Sequence, residues 1–173
     1  MTKLQRLLLA RDSACVTRFH TARVVHDETV AEHSFNVVNM LLIMTSGHAR
    51  KELLVAALVH DMGEAQVGDI PSPVKRALPP EVGAAMEDLE QEAILCIHPY
   101  IYDDGLRPEE HMALSLADKL DGLMKCRDEL RLGNKGIREI GDRYIQYIQE
   151  LTDKWDTYRV FAEQCIFAYR QEL

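Results

Sequence analysis

Leu53-Leu54-Val55-Ala56-Ala57-Leu58-Val59-His60-Asp61-Met62-Gly63-Glu64 is an apolar helical run that ends on an imidazole and a carboxylate. Leu, Ala and Val in this order read as a buried helix, and Gly63 is a suitable stop for it. Packing of Leu and Val gives no reason to set a His beside an Asp, whereas both side chains are good ligands for a divalent cation. A lone His on an apolar face is ordinarily a hydrogen-bonded core residue, so the reading turns on two further places. Ala31-Glu32-His33-Ser34 lies at the start of another apolar helix, and Leu116-Ala117-Asp118-Lys119-Leu120 sets a carboxylate inside a third. His33, His60, Asp61 and Asp118, drawn from three helices, make one mixed nitrogen–oxygen metal site.

Outward from this stretch, the apolar spacing yields helices. A short helix is expected over 3–10, an irregular segment over 15–27, and a helix over 28–46 ended by Gly47. The apolar face of that helix would carry Val30, Phe35, Val37, Val38, Leu41, Leu42 and Met44. The quoted stretch itself makes a helix over 50–62. Residues 63–80 read as loop with at most one helical turn, because Pro71 and Pro73 force extended backbone. Pro80 and Glu81, both favourable in a first turn, open a helix over 80–97. A loop over 98–105 precedes a helix over 108–132, ended by Gly133, and a helical tail over 135–171 breaks near 152–153. No segment alternates with period two. The expected fold is an all-α helical bundle, with one domain over 1–173.

Composition agrees. The chain has 173 residues, enough to bury a core without staples, and 47% are hydrophobic while only 6% are aromatic. Leu, Ala, Glu and Met suit helices. Cys15, Cys96, Cys126 and Cys165 are scattered with no C-x-x-C, so they read as buried free thiols of a reduced compartment. No apolar stretch reaches the roughly 20 residues of a membrane span, and the first residues lack the apolar core of a signal peptide. A cytoplasmic location without membrane attachment is expected. The net charge of −8 argues against a nucleic-acid polymer as partner. A small anion remains open to it, because a few placed cations and a metal bind phosphate within an acidic protein. Arg18, Arg23, Lys75, Arg76, Lys119 and Lys125 are the candidate cations, each of which would otherwise be a solvated surface charge.

Two imidazoles and two carboxylates suit a cation of intermediate hardness and leave it one or two open positions. A structural zinc would more commonly use cysteine and close its shell. One divalent ion (Co²⁺, Mn²⁺, Zn²⁺, Fe²⁺, Ni²⁺ or Mg²⁺) is therefore expected, in a catalytic role. Hydrolysis needs one group to take a proton from water and another to give one to the leaving oxygen. Glu64 and Asp69 are placed to do this if the loop folds back over the metal, and Lys75 would neutralise phosphate charge. Without such folding, Glu64 is a surface carboxylate and Asp69 a turn residue. His20, His26, His48, His98 and His111 are left out of the ligand set.

These residues sit in motifs that resemble a known group. The H…HD…D pattern, with Ala31-Glu32-His33-Ser34, His60-Asp61-Met62-Gly63-Glu64 and Gly68-Asp69-Ile70-Pro71-Ser72-Pro73-Val74-Lys75, looks like the HD-domain phosphohydrolase superfamily. More narrowly it resembles the bacterial 5′-deoxynucleotidases of the YfbR type, a likeness that also takes in Ala117-Asp118-x-Leu120, Lys125-Cys126-x-x-Glu129-Leu130 and Gly133-Asn134. The resemblance implies an HD-domain helical bundle with one metal on His33, His60, Asp61 and Asp118, and an acidic pair in Glu64 and Asp69. It places the substrate on Arg18, Phe19 and Arg23. The family's tryptophan is Phe19 here, a smaller ring that fills less of the space a 2′-hydroxyl would need.

Pro73-x-Lys75 and the compact length are similar to a second branch, the small phage dATP triphosphohydrolases of the DatZ type, in which the matching lysine assists catalysis. Either branch implies a metal-dependent phosphohydrolase of 2′-deoxynucleotides. Water activated by the metal attacks the α-phosphorus and releases a deoxynucleoside with phosphate (from a dNMP) or triphosphate (from a dNTP, notably dATP). A homo-oligomer, dimer or larger, is implied as well. The alternatives are a catalytically inactive nucleotide-binding or regulatory protein, a cyclic-nucleotide phosphodiesterase, and a di-iron oxygenase, which needs more histidine ligands than the motifs place.

Overall fold

The structure is a computed structural model that describes residues 1–99 and 105–173. It is mainly helical, with nine α-helices among the described residues: α1 (Lys3–Ala14), α2 (Val30–Met44), α3 (Lys51–Val59), α4 (Glu64–Val67), α5 (Ser72–Ala77), α6 (Pro80–Ile97), α7 (Pro108–Arg131), α8 (Arg138–Lys154) and α9 (Arg159–Arg170). A 3₁₀ turn, Lys135–Ile137, precedes α8.

α7 is the central element, packed against α2, α3, α8 and α9. Its Ala113, Leu116, Ala117, Leu120 and Leu123 are almost fully buried and meet Val37 and Leu41 of α2, Ile148 of α8 and Tyr169 of α9 in one hydrophobic cluster. The same helix also buries Asp121, Lys125 and Glu129, spaced four apart and hence on one face. That polar stripe receives the segment leading into α2. Glu129, fully buried, accepts from the backbone N–H of Val25 (2.6 Å) and His26 (3.0 Å), from Lys125 Nζ (3.0 Å) and from Asn134 Nδ2 (2.8 Å). Burial opposes its charge, but these donors, Asn134 foremost, hold the carboxyl down at about 2. The Lys-Cys-x-x-Glu motif thus ties an otherwise irregular loop to the central helix.

The structure departs from the sequence-based expectation in small ways with local causes. α2 starts at Val30, two residues late, because Thr29 is an N-cap. Its hydroxyl accepts from Glu32 N–H (3.3 Å), and the Glu32 carboxylate accepts from Thr29 N–H (2.8 Å). The extended backbone this requires at Glu28 and Thr29 pairs antiparallel with Thr17 and Arg18, a ribbon of two strands (β1, Thr17–Arg18; β2, Glu28–Thr29) too short to show periodicity. Phe35, expected on the apolar face of α2, is 67% exposed. The stretch expected to be loop holds α4 and α5, since Pro71 takes the N-cap position and Pro73 falls in the first turn, where its missing N–H costs nothing. Cys126 and Cys165 are buried thiols, whereas Cys15 at the end of α1 and Cys96 on the outer face of α6 are exposed. The loop expected over 98–105 lies largely outside the described residues. Among the described residues no helix is long and apolar enough to cross a membrane.

Gly63 has an ordinary helical φ of −63°. Its role is space: a Cβ there would lie 2.5 Å from the backbone oxygen and 2.7 Å from the Cα of Glu90 in α6. Backbone cannot yield as a side-chain tip can, so Gly63→Ala should cost about 1–3 kcal/mol of stability, as overpacking does. Chemical denaturation measures it, and a variant as stable as wild type would contradict this close approach.

Candidate active site

The four candidate ligands come together from three places. His33 stands in the first turns of α2, where its ring is fully buried. His60 caps the C-terminus of α3, and Asp61 follows in the turn that Gly63 lets pack beneath α6. Asp118 projects from the middle of α7. His33 Nε2 lies 3.2 Å from His60 Nε2, 3.4 Å from Asp61 Oδ2 and 3.3 Å from Asp118 Oδ1, and His60 Nε2 lies 3.4 Å from Asp61 Oδ1.

Each ring is held by its other nitrogen. His60 Nδ1 is 2.8 Å from the Ala57 carbonyl, which only accepts, so that nitrogen carries the proton. His33 Nδ1 is 2.7 Å from Asp121 Oδ2. In the neutral rings the two Nε2 lone pairs therefore face each other and Asp61, and that of His33 faces Asp118 as well, a set of donors that repel unless a cation lies among them. The residues fit a divalent ion. Burial opposes the charge of both aspartates. Even so, His60 and Arg18 hold Asp61 below the usual carboxylate range, and Lys119 and His33 hold Asp118 well below it.

A proton competes for the same place. Burial alone would lower the His33 imidazole, but hydrogen bonds with Asp118 and Asp121 outweigh it and push the group up to about 9. In the protein stripped of metal, His33 is then protonated below that pH, and an arriving ion must displace the proton. Metal affinity should fall by about tenfold for each pH unit below 9, with one proton released per ion bound. Calorimetric titration of Co²⁺ in buffers of differing ionisation enthalpy counts that proton; no release between pH 7 and 8 would contradict the assignment.

Beside the ligands opens a cavity of about 420 Å³. Arg18, Phe19, Asp61, Glu64, Asp69 and Lys75, all singled out in the sequence, line it, together with Asp118. Arg18 is buried, and its Nη1 contacts Asp61 while Nη2 lies 3.9 Å from Asp118. Phe19 sits in the left-handed region at φ 56°, uncommon for a bulky residue and a local strain that the surrounding structure imposes. Glu64 is 4% exposed, and its Oε2 has no hydrogen-bond partner among the described residues. Burial, then the charges of Asp61 and Asp69, push its carboxyl up to about 8. Asp69 follows Gly68, whose φ of 80° turns the chain back over the site, and approaches His20 Nδ1 at 3.5 Å. Lys75 reaches the cavity while bonded to Glu90 at 2.9 Å. Arg23 differs from expectation: it is exposed and does not line the cavity, because its backbone carbonyl is taken by Asn134 (2.8 Å) in the loop anchored to Glu129.

The wall opposite was missed in the sequence. Arg143, Tyr144 and Tyr147 of α8 line the cavity, as does Lys119. Their spacing, three and four apart, puts Arg143 and Tyr144 on one helix face with Tyr147, which is the signal the sequence carried. The Tyr144 and Phe19 rings lie 6.3 Å apart, and the Arg76 guanidinium stacks 3.7 Å above the Tyr147 ring. A larger groove of about 780 Å³ along α2 and α7 is lined by none of the four candidate ligands.

The sequence model of the YfbR-like 5′-deoxynucleotidases matches residues 8–169. A 5′-deoxynucleotidase of Vibrio vulnificus, VV1113, is 30% identical over 139 residues, which cover 69% of this chain and 71% of that protein. In three dimensions the chain is similar to the PH0347 protein of Pyrococcus horikoshii OT3, with a TM-score of 0.75 and 22% identity over 95% of this chain and 99% of that one. It is also similar to the cyanophage S-2L HD phosphohydrolase DatZ, solved bound to dA and one catalytic Zn²⁺ ion, with a TM-score of 0.61 and 17% identity over 96% of each chain. At such identities these two structures bear on the fold alone, a helical one that the chain shares with both. The family match spans nearly the whole chain and every candidate ligand, and the protein belongs to the YfbR-like 5′-deoxynucleotidase family.

Proposed function

We propose that the protein is a divalent-metal-dependent phosphohydrolase of 2′-deoxynucleotides, with His33, His60, Asp61 and Asp118 as metal ligands. The carrying observation is the convergence of two imidazole Nε2 atoms and two carboxylates at 3.2–3.4 Å beside a cavity that also holds a buried acid, Glu64. When bound, the metal polarises a phosphoryl oxygen and lowers the pKa of water. The remaining work falls to the chain's own residues. Glu64 holds a proton near neutral pH and has Oε2 free to give it to the 5′-oxygen as the bond to phosphorus breaks. Asp69, which lines the same cavity, accepts the proton of the attacking water. Arg18 and Lys75 meet the phosphate, and Phe19 packs against the deoxyribose at C2′. The products are a deoxynucleoside and phosphate.

The family match and the named activity of VV1113 support a deoxynucleoside monophosphate as substrate. A dNTP releasing triphosphate is the second reading. It is favoured by two further cations on the same cavity, Lys119 and Arg143. Purified protein with Co²⁺ or Mn²⁺, given dNMPs, dNTPs, ribonucleotides and cyclic nucleotides with every product identified, decides between them. Absence of metal-dependent turnover on the whole panel would favour a binding or regulatory protein.

Sugar preference has its own test. An aromatic ring at C2′ rejects a ribonucleotide by overlap with its hydroxyl, which needs no hydrogen-bonding partner. Phe19→Ala should therefore narrow the preference for deoxy- over ribonucleotides, chiefly because ribonucleotides improve. Arg18→Ala should weaken both sugars alike, since its charge meets a group they share. Equal turnover of dAMP with AMP, and of dATP with ATP, by the native protein would refute the deoxynucleotide assignment.

A further inference from the structure

Outside the cavity lining, two more buried carboxylates stand behind the site. Asp121 is 4% exposed and Glu28 6%. Their oxygens and a ring nitrogen of His33 all lie within 4.8 Å of one another, a trio with the composition of a second metal site. Its contacts point elsewhere. His33 Nδ1 meets Asp121 Oδ2 at 2.7 Å, and Arg18 Nε lies 3.3 Å from Glu28 Oε1, so a proton donor and a permanent cation already face the two carboxylates. An added divalent ion would have to displace both.

We propose that Asp121 and Glu28 are positioning residues that brace the two halves of the site: Asp121 aims the His33 ring at the metal, and Glu28 aims the Arg18 guanidinium at the substrate. The inference rests on the proposed function. Asp121 lies one helical turn beyond Asp118, so α7 supplies both a ligand and the group that orients a second ligand. A carboxylate on Nδ1 blocks rotation of the imidazole and makes Nε2 a stronger donor. The ribbon of β1 and β2 has its own purpose in this arrangement. Its register sets Arg18 directly across from Glu28, and side chains at such paired positions interact. With its Nε side ion-paired to Glu28, the planar guanidinium presents its Nη edge to Asp61, Asp118 and the cavity. The Thr29 cap that delays the start of α2 leaves Glu28 in the strand rather than the helix.

The test separates the two arms. Co²⁺ is titrated into wild type, Asp121→Ala, Asp121→Asn and Glu28→Gln, followed by the visible Co²⁺ spectrum, with steady-state kinetics on dAMP. Loss of an outer partner of a ligating histidine weakens metal binding by about 10–100-fold. Asp121→Ala should show the larger loss and Asp121→Asn, whose amide oxygen still accepts from Nδ1, the smaller, both with an altered Co²⁺ spectrum. Glu28→Gln should bind Co²⁺ as wild type does but raise KM for dAMP about tenfold, with kcat little changed, as for one loosened charge-assisted contact. Circular dichroism checks folding, and if Asp121→Ala does not fold the Asn variant decides alone. Wild-type Co²⁺ affinity and spectrum in the Asp121 variants, or wild-type KM in Glu28→Gln, would overturn the brace while the hydrolase survives. Failure of the wild type to bind Co²⁺ would overturn the proposed function and the brace with it.

Discussion

Asp61→Ala and His60→Ala should each abolish hydrolysis and most metal binding. Each takes one donor from a set of four, and the donors left behind cannot close the gap. His33 is fixed in the core, and Asp118 is held by α7 with Lys119 against its other oxygen. The loss should exceed the roughly 10–100-fold that removal of an outer partner of a ligand costs. Asp61→Ala has a second consequence, because it strips the Arg18 guanidinium of its nearest carboxylate and leaves a buried cation less well compensated. Metal content by elemental analysis, beside turnover of the best deoxynucleotide, checks both variants. Unchanged metal stoichiometry in the two would sink the ligand assignment.

The second large effect is expected at Glu64. Glu64→Ala should leave the metal bound yet lower turnover by about 10²–10⁴-fold, the range for loss of a general acid or base. The expectation rests on a buried carboxyl that lines the cavity, carries an unpartnered oxygen and is pushed up to about 8 by burial and by Asp61 and Asp69. A group that must hold a proton stops working as pH rises through its pKa. The native enzyme should therefore lose activity on an alkaline limb at or below about 8, since a bound cation moves that limb downward. Glu64→Gln cannot titrate, so its residual activity should lack the limb. Turnover near wild type in Glu64→Ala would reduce this residue to a buried carboxylate without a part in the reaction.

Much of this site was legible in the chain. His60-Asp61 ending an apolar helix, His33 opening another and Asp118 inside a third are residues whose chemistry conflicts with their apolar surroundings, and such conflict is visible without coordinates. The longer helices followed from apolar spacing, and α6 from a proline and an acid in its first turn, whereas the short α4 and α5 did not. What stayed hidden depends on distance rather than residue type. Glu28 reads as the start of a helix until the Thr29 cap and the pairing with Arg18 place it in a strand. Arg23 and Arg18 are the same residue type, but Asn134 and Glu129 hold the loop so that Arg23 faces outward, whereas pairing with Glu28 turns Arg18 inward. The α8 wall of Arg143, Tyr144 and Tyr147 is remote in sequence from every candidate metal ligand and meets them because α8 packs on α7. The chain alone thus carries the helical fold and the four candidate ligands, since local spacing and residue chemistry are its own properties. The tertiary structure alone decided which buried charges face each other, because that depends on how the packed helices and the anchored loop bring remote residues within a few ångströms.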